Sequence, residues 1–173
     1  LHISTKMKSD TLLELVNKTP IYSLLTELST VNFAVNDTTE EGDSILHLFA
    51  KSKHVEDLCF AVYLKTLINA GADFNALDRD RQGFLNYYLE QETRLDEVNT
   101  FEVVVENEDF EINQTFTNRW TFFEAIYHSE GWNASDSLDH FIKHKKFNPN
   151  LRTSKHNSIL LHMISENLLD HHK

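Results

Sequence analysis

Glycine, proline and cysteine are scarce in this chain: four, two and one among 173 residues. So few turn-forming residues argue against a sandwich or barrel, whose many short strands need frequent tight turns. The single cysteine, Cys59, rules out a disulfide framework within the chain, and a lone thiol fits a reducing compartment, cytoplasmic or nuclear. No apolar run approaches the ~20 residues of a membrane span, and no N-terminal stretch reads as a signal peptide. Positive charge is also short. Lys and Arg number 16 against 27 Asp and Glu, a formal net charge of −11. That balance opposes general attraction to nucleic acid or to an anionic membrane and leaves protein surfaces as the expected partners.

What is present suits one soluble globular domain: 40% hydrophobic and 25% charged residues. The segment 55–70, VEDLCFAVYLKTLINA, places Val55, Leu58, Cys59, Val62, Leu67 and Ile68 at helical spacing. This predicts one amphipathic helix with Cys59 buried. Gly71 then stands where a helix closes in the left-handed conformation that glycine adopts cheaply. A shorter helix is expected after Gly42, with Ser44 as its cap and Ile45, Leu46, Leu48 and Phe49 as its packing face. Two more are expected over 11–16 and 21–28, with Thr19 as a cap and Pro20 at the first helical position.

The pattern then recurs. Ser44-Ile45-Leu46-His47, Leu85-Asn86-Tyr87-Tyr88, Thr121-Phe122-Phe123-Glu124 and Ile159-Leu160-Leu161-His162 each begin two residues after an anchor. The anchors are Gly42, Gly83, Arg119 and Asn157, so the spacings are 41, 36 and 38. Only the first two are glycine, so irregular connections are expected in the later units. GADFNALD, residues 71–78, together with GDSILHLFA, residues 42–50, resembles the ankyrin repeat. The resemblance spans most of the chain and is clearest over 42–83. It implies an all-α solenoid of about four divergent helix-turn-helix repeats with a C-terminal cap or partial repeat. The approximate units are 10–37, 38–78, 79–113, 114–151 and 152–173, read as a single domain.

Candidate chemistry is thin. His140 and His144 are four apart, a spacing that can bind a metal, but Lys143, Lys145 and Lys146 surround them and a solvated helix face is the favoured reading. His47 and His162 stand at what read as equivalent repeat positions, which favours structure over catalysis; the resemblance implies a hydrogen bond to the neighbouring turn. The run 102–111, EVVVENEDFE, is either a solvated helix end or a docking surface for a basic partner. No phosphate loop, zinc array or nucleophile elbow is present, so no enzyme activity, cofactor or metal is expected.

The resemblance implies a protein-interaction module, an adaptor, inhibitor or targeting domain, monomeric alone, that contacts its partner through the connection tips and the exposed ends of the first helices. Carried onto this sequence, the contacts are Glu40, Glu41 and Asp43, with Lys51 and Ser52; Arg81, Gln82, Phe84 and Glu92; Asn118, Trp120 and His128; and Lys155 and His156. Phe84 and Trp120 are the expected aromatic anchors. The alternative is a regulatory or substrate-docking domain of a larger enzyme or effector. The abundance of Asn, Phe, Lys and Asp suits a pathogen or viral protein.

Overall fold

A computed structural model describes residues 6–130, 135–155 and 157–165. The described residues are helical, with two isolated bridges, Thr115 with Thr121 and Arg152 with Ser158, in place of any sheet. None of their helices is long and apolar enough to cross a membrane. The chain divides into two compact units, Leu1–Asp96 and Glu97–Lys173.

The first unit holds α1 (Ser9–Lys18), a 3-10 turn (Ile21–Ser23) leading into α2 (Leu24–Thr30), α3 (Ile45–Lys51), α4 (Phe60–Asn69) and α5 (Phe84–Glu90). α3 packs against α1 on one side and α5 on the other. Its core stacks Phe49 on Phe60 at 4.3 Å between ring centroids, and Phe60 on Tyr88 at 5.2 Å. Such pairs contribute roughly 0.5–1.5 kcal/mol beyond the burial of their area.

The sequence places α1 and α2 well, but Thr19 serves the opposite end from the one expected. Its hydroxyl donates to the Leu15 carbonyl (2.7 Å) and closes α1, while Pro20 precedes the 3-10 turn rather than opening an α-helix. The helix expected over 55–70 is broken. A 3-10 turn (Lys53–Glu56) ends at Asp57, whose backbone is extended and whose carboxylate accepts from the Cys59 N–H (2.8 Å), and α4 starts only at Phe60. The ring of His54 donates to the Val16 carbonyl (2.9 Å) and pins this break against α1. The buried face is therefore Phe60, Ala61, Leu64 and Leu67. Leu58 and Val62 are 73% and 62% exposed, and Cys59 is exposed rather than buried. A segment apolar on two sides offers two helical phases, and the tertiary contact chose the other one.

α4 ends as Gly71 requires. Gly71 sits at φ 97°, its N–H bonding Ile68 and the Ala72 N–H bonding Leu67 (2.9 and 3.0 Å). α2 closes with the same pair of bonds around Asn32, at φ 56°. This is the left-handed helix stop in which Asn is the usual substitute for Gly.

The second unit holds α6 (Glu97–Val105), α7 (Phe122–Glu130), α8 (Ser135–Lys143) and α9 (Ile159–Ser165). α6 packs on α7 and α8, which also pack on each other. Phe122 is the hub: Phe101, Phe110, Phe116 and Phe141 meet it edge-on at 5.7–6.2 Å.

Candidate functional site

Four connections share one closing bond. A backbone N–H donates to the carbonyl four residues on, from Thr39 to Asp43, Asp78 to Gln82, Phe116 to Trp120 and Thr153 to Asn157, at 2.8–3.0 Å. In the first three the fourth residue of the turn is left-handed: Gly42 at φ 89°, Arg81 at 61° and Arg119 at 69°. One residue separates each turn from its helix, so α3, α5, α7 and α9 begin at 45, 84, 122 and 159, spaced by 39, 38 and 37.

This geometry corrects the register read from the glycines. The counterpart of Gly42 is Arg81, and Gly83 is instead the residue before α5, the place Ser44 holds before α3. The position of His47 is held by Asn86, Glu124 and Leu161 in the other copies; His162 lies one residue further on, so the two histidines are not equivalent. The connections are not irregular either. Side chains brace the first three turns whether or not glycine is present: Asp78 Oδ1 accepts from the N–H groups of Asp80 and Gln82 (both 2.9 Å), Thr39 Oγ1 from Asp43 (3.0 Å) and Asn118 Oδ1 from Trp120 (2.9 Å). These are the local side-chain turns that Asp, Asn and Thr favour.

In the first unit, neighbouring turns are tied together. The Arg79 N–H donates to the Glu41 carbonyl (3.3 Å), and an added Cβ on Gly42 would stand 3.0 Å from the Arg79 nitrogen. Below them, Nε2 of His47 lies 2.9 Å from the Gln82 carbonyl, while its Nδ1 accepts from the Ser44 N–H at 3.1 Å. A carbonyl only accepts, so Nε2 carries the proton. Burial holds the His47 pKa below its ordinary value, against the opposing hydrogen bond to Gln82. Asp43 is buried, with Lys51 Nζ 2.7 Å from both carboxylate oxygens. Lys51 also lies 3.9 Å from the centre of the Tyr87 ring. The Tyr87 hydroxyl donates to Asp78. Burial and the Asp78 carboxylate push that hydroxyl's pKa up, and the same bond helps hold Asp78 below the usual carboxylate range although burial opposes it. Every charge in this cluster is engaged, which makes it a support for the two turns.

The expected contact residues therefore separate. Asp43 and Ser52 are buried and hold structure, and Lys51 is committed to Asp43. Phe84 is 2% exposed and packs as the first residue of α5, so it is not an exposed anchor. Glu41, Arg81 and Glu92 are exposed; Glu40 and Gln82 are half-buried. Glu41 also accepts from the Ser9 N–H (2.8 Å), which lowers its pKa.

In the second unit Glu124 plays the part of His47. It is fully buried, and its Oε2 accepts from the Thr121 N–H (2.9 Å) while the Glu124 N–H donates back to Thr121 Oγ1 (3.3 Å). This reciprocal pair is a capping box. The same carboxylate receives the Ser154 N–H at 3.0 and 3.1 Å and the Ser154 hydroxyl. Burial would raise its pKa, yet the bonds from Ser154 and Thr121 keep it below the ordinary glutamate value. Trp120, half-buried, stacks on exposed His128 at 4.5 Å and 27°. Asn118 and Lys155 are exposed; His156 lies outside the described residues.

Two sequence candidates recede. Lys145 pairs with Asp109 (2.7 Å) and Glu108 (3.8 Å), and Lys146 with Glu111 (3.9 Å), so the acidic run is matched by the basic one. His144 is buried, its Nε2 3.0 Å from the Asn107 carbonyl and its Nδ1 accepting from the Lys146 N–H (3.1 Å), which leaves no nitrogen to share with His140.

Comparison with known proteins finds no family model and no curated protein that matches the chain.

Proposed function

We propose that this chain is a protein-interaction module of divergent ankyrin-repeat type, meeting a protein partner through the tips of its turns. One observation carries the reading. Gly42 makes the left-handed turn at no steric cost, but the same position in the next two turns is Arg81 and Arg119. A left-handed backbone costs a residue with a Cβ about 1–2 kcal/mol. Both arginines are exposed, and neither side chain makes a hydrogen bond or ion pair with a described residue. The fold gains nothing visible from them, whereas strained residues with unused side chains cluster where ligands bind. Arginine and tryptophan are also the residues that most often dominate interface energies.

The ankyrin-type reading draws support from the shared turn, its 37–39-residue spacing against a family repeat of ~33, and the hydrogen bonds from α3 and from α7 to the turn that follows each. In this reading the polar clusters beneath the tips are structural and the chain performs no chemistry of its own.

The test is affinity capture from source or host cytosol with the wild type and an Arg81→Gly/Arg119→Gly variant. A specific protein retained by the wild type and lost by the variant is the expected result. Equal retention by both would place the interface elsewhere.

A further inference from the structure

The two turns of the second unit carry charge of one sign. Neither 112–123 nor 148–158 contains an Asp or Glu, in a chain where acids outnumber Lys and Arg by 27 to 16. The corresponding stretches of the first unit carry Asp37, Glu40, Glu41 and Asp43, then Asp78 and Asp80. In the second unit Arg119, Arg152 and Lys155 are exposed, and none of the three side chains bonds or pairs with a described residue.

One buried group gathers both turns. Glu124 receives Thr121, which follows the first turn, and Ser154, in the second. The cations stand on a frame fixed from below by an anion that its own hydrogen bonds consume. Next to Arg119 in the chain, Trp120 stacks on His128 and offers an aromatic surface, half-exposed at the indole and open at the imidazole.

Resting on the interaction reading above, we infer that Arg119, Trp120, His128, Arg152 and Lys155 form a docking surface for an acidic peptide segment of a protein partner. Complementary charge raises the encounter rate and fixes register, and an aromatic face beside guanidinium groups receives an apolar or aromatic side chain between the acids. A polyanion such as single-stranded nucleic acid would meet the same cations, but the −11 net charge repels it at long range. A short peptide presents far fewer charges to that field.

The test uses fluorescence anisotropy of a labelled 12-residue peptide of Gly and Ser that carries four Glu around one central Tyr, at 0.15 M salt. The full chain is compared with Arg119→Glu/Arg152→Glu/Lys155→Glu and with a control variant reversing Lys6, Lys8 and Lys53 in the first unit. Binding that weakens at least tenfold in the former and stays within twofold in the control supports the inference. Equal weakening in both variants, which would report net charge alone, overturns it. So does tighter binding of a single-stranded oligonucleotide of matched charge, or no peptide binding. In that last case, cytosolic capture that still depends on Arg81 and Arg119 would leave the interaction reading standing and sink only the acidic partner.

Discussion

His47 and Glu124 occupy the same position in two copies of one motif and make opposite hydrogen bonds. His47 donates to a carbonyl of the following turn, at Gln82, and Glu124 accepts from an N–H of the following turn, at Ser154. Each also reaches back to the residue before its own helix, Ser44 or Thr121. In these two copies the position is filled by a side chain that bonds on both sides, and the two side chains do not share one charge.

The two links titrate differently. The folded pKa of His47 is lowered, so the unfolded chain binds the proton more readily. Its stabilisation is present above the unfolded value of ~6.5 and is lost as pH falls through the lower folded value. For Glu124, also lowered, stabilisation is present above the unfolded value of ~4.3 and declines as pH falls further. Urea unfolding followed from pH 7.5 to 5 is expected to show a loss of stability that His47→Gln removes. Below pH 4.5 a second loss is expected, diminished in Glu124→Gln.

Gly42 and Gly71 are both left-handed, but their surroundings differ. Gly71→Ala meets no atom within 4 Å and is expected to cost about 1 kcal/mol from backbone strain alone. Gly71→Asn is expected to be nearly neutral, because Asn32 closes α2 in the same way. Gly42→Ala adds a contact at 3.0 Å with the Arg79 backbone and is expected to cost about 2 kcal/mol or more. Thermal melting of the three variants checks the order.

Asp43 has Lys51 as its partner beneath the first turn. Lys51→Met leaves a buried carboxylate uncompensated, and the expected loss is about 3 kcal/mol. Asp43→Asn/Lys51→Met is expected to recover part of it, as measured by chemical denaturation in a double-mutant cycle.

The helical class, α1, α2 and the Gly71 stop were legible because local signals and tertiary packing agree there. The register was in the sequence as well, carried by asparagine. Asn36, Asn75, Asn113 and Asn150 each lie nine residues before a helix that follows a shared turn. Asn36 accepts from the Asp73 N–H (3.1 Å) and Asn113 from the Asn148 N–H (3.2 Å), tying successive copies together. Aligning glycines missed this because Gly83 and Gly42 serve different positions, and that two-residue slip turned buried Phe84 into an expected anchor. The break at Asp57 was hidden because the His54 link to Val16 spans 38 residues. Trp120 with His128 was legible as a pair of candidates, while their stacking depends on a turn closed by Asn118, which sequence spacing does not reveal.

The measurement that bears most directly on the tips is the stability of Arg81→Gly/Arg119→Gly by urea denaturation. If the arginines are held left-handed for the sake of contacts outside the fold, glycine relieves strain at both sites and outweighs its extra unfolded-state entropy. The expected result is a variant about 0.5–1 kcal/mol more stable per site. A variant less stable than the parent would contradict this, because the two side chains would then belong to the fold.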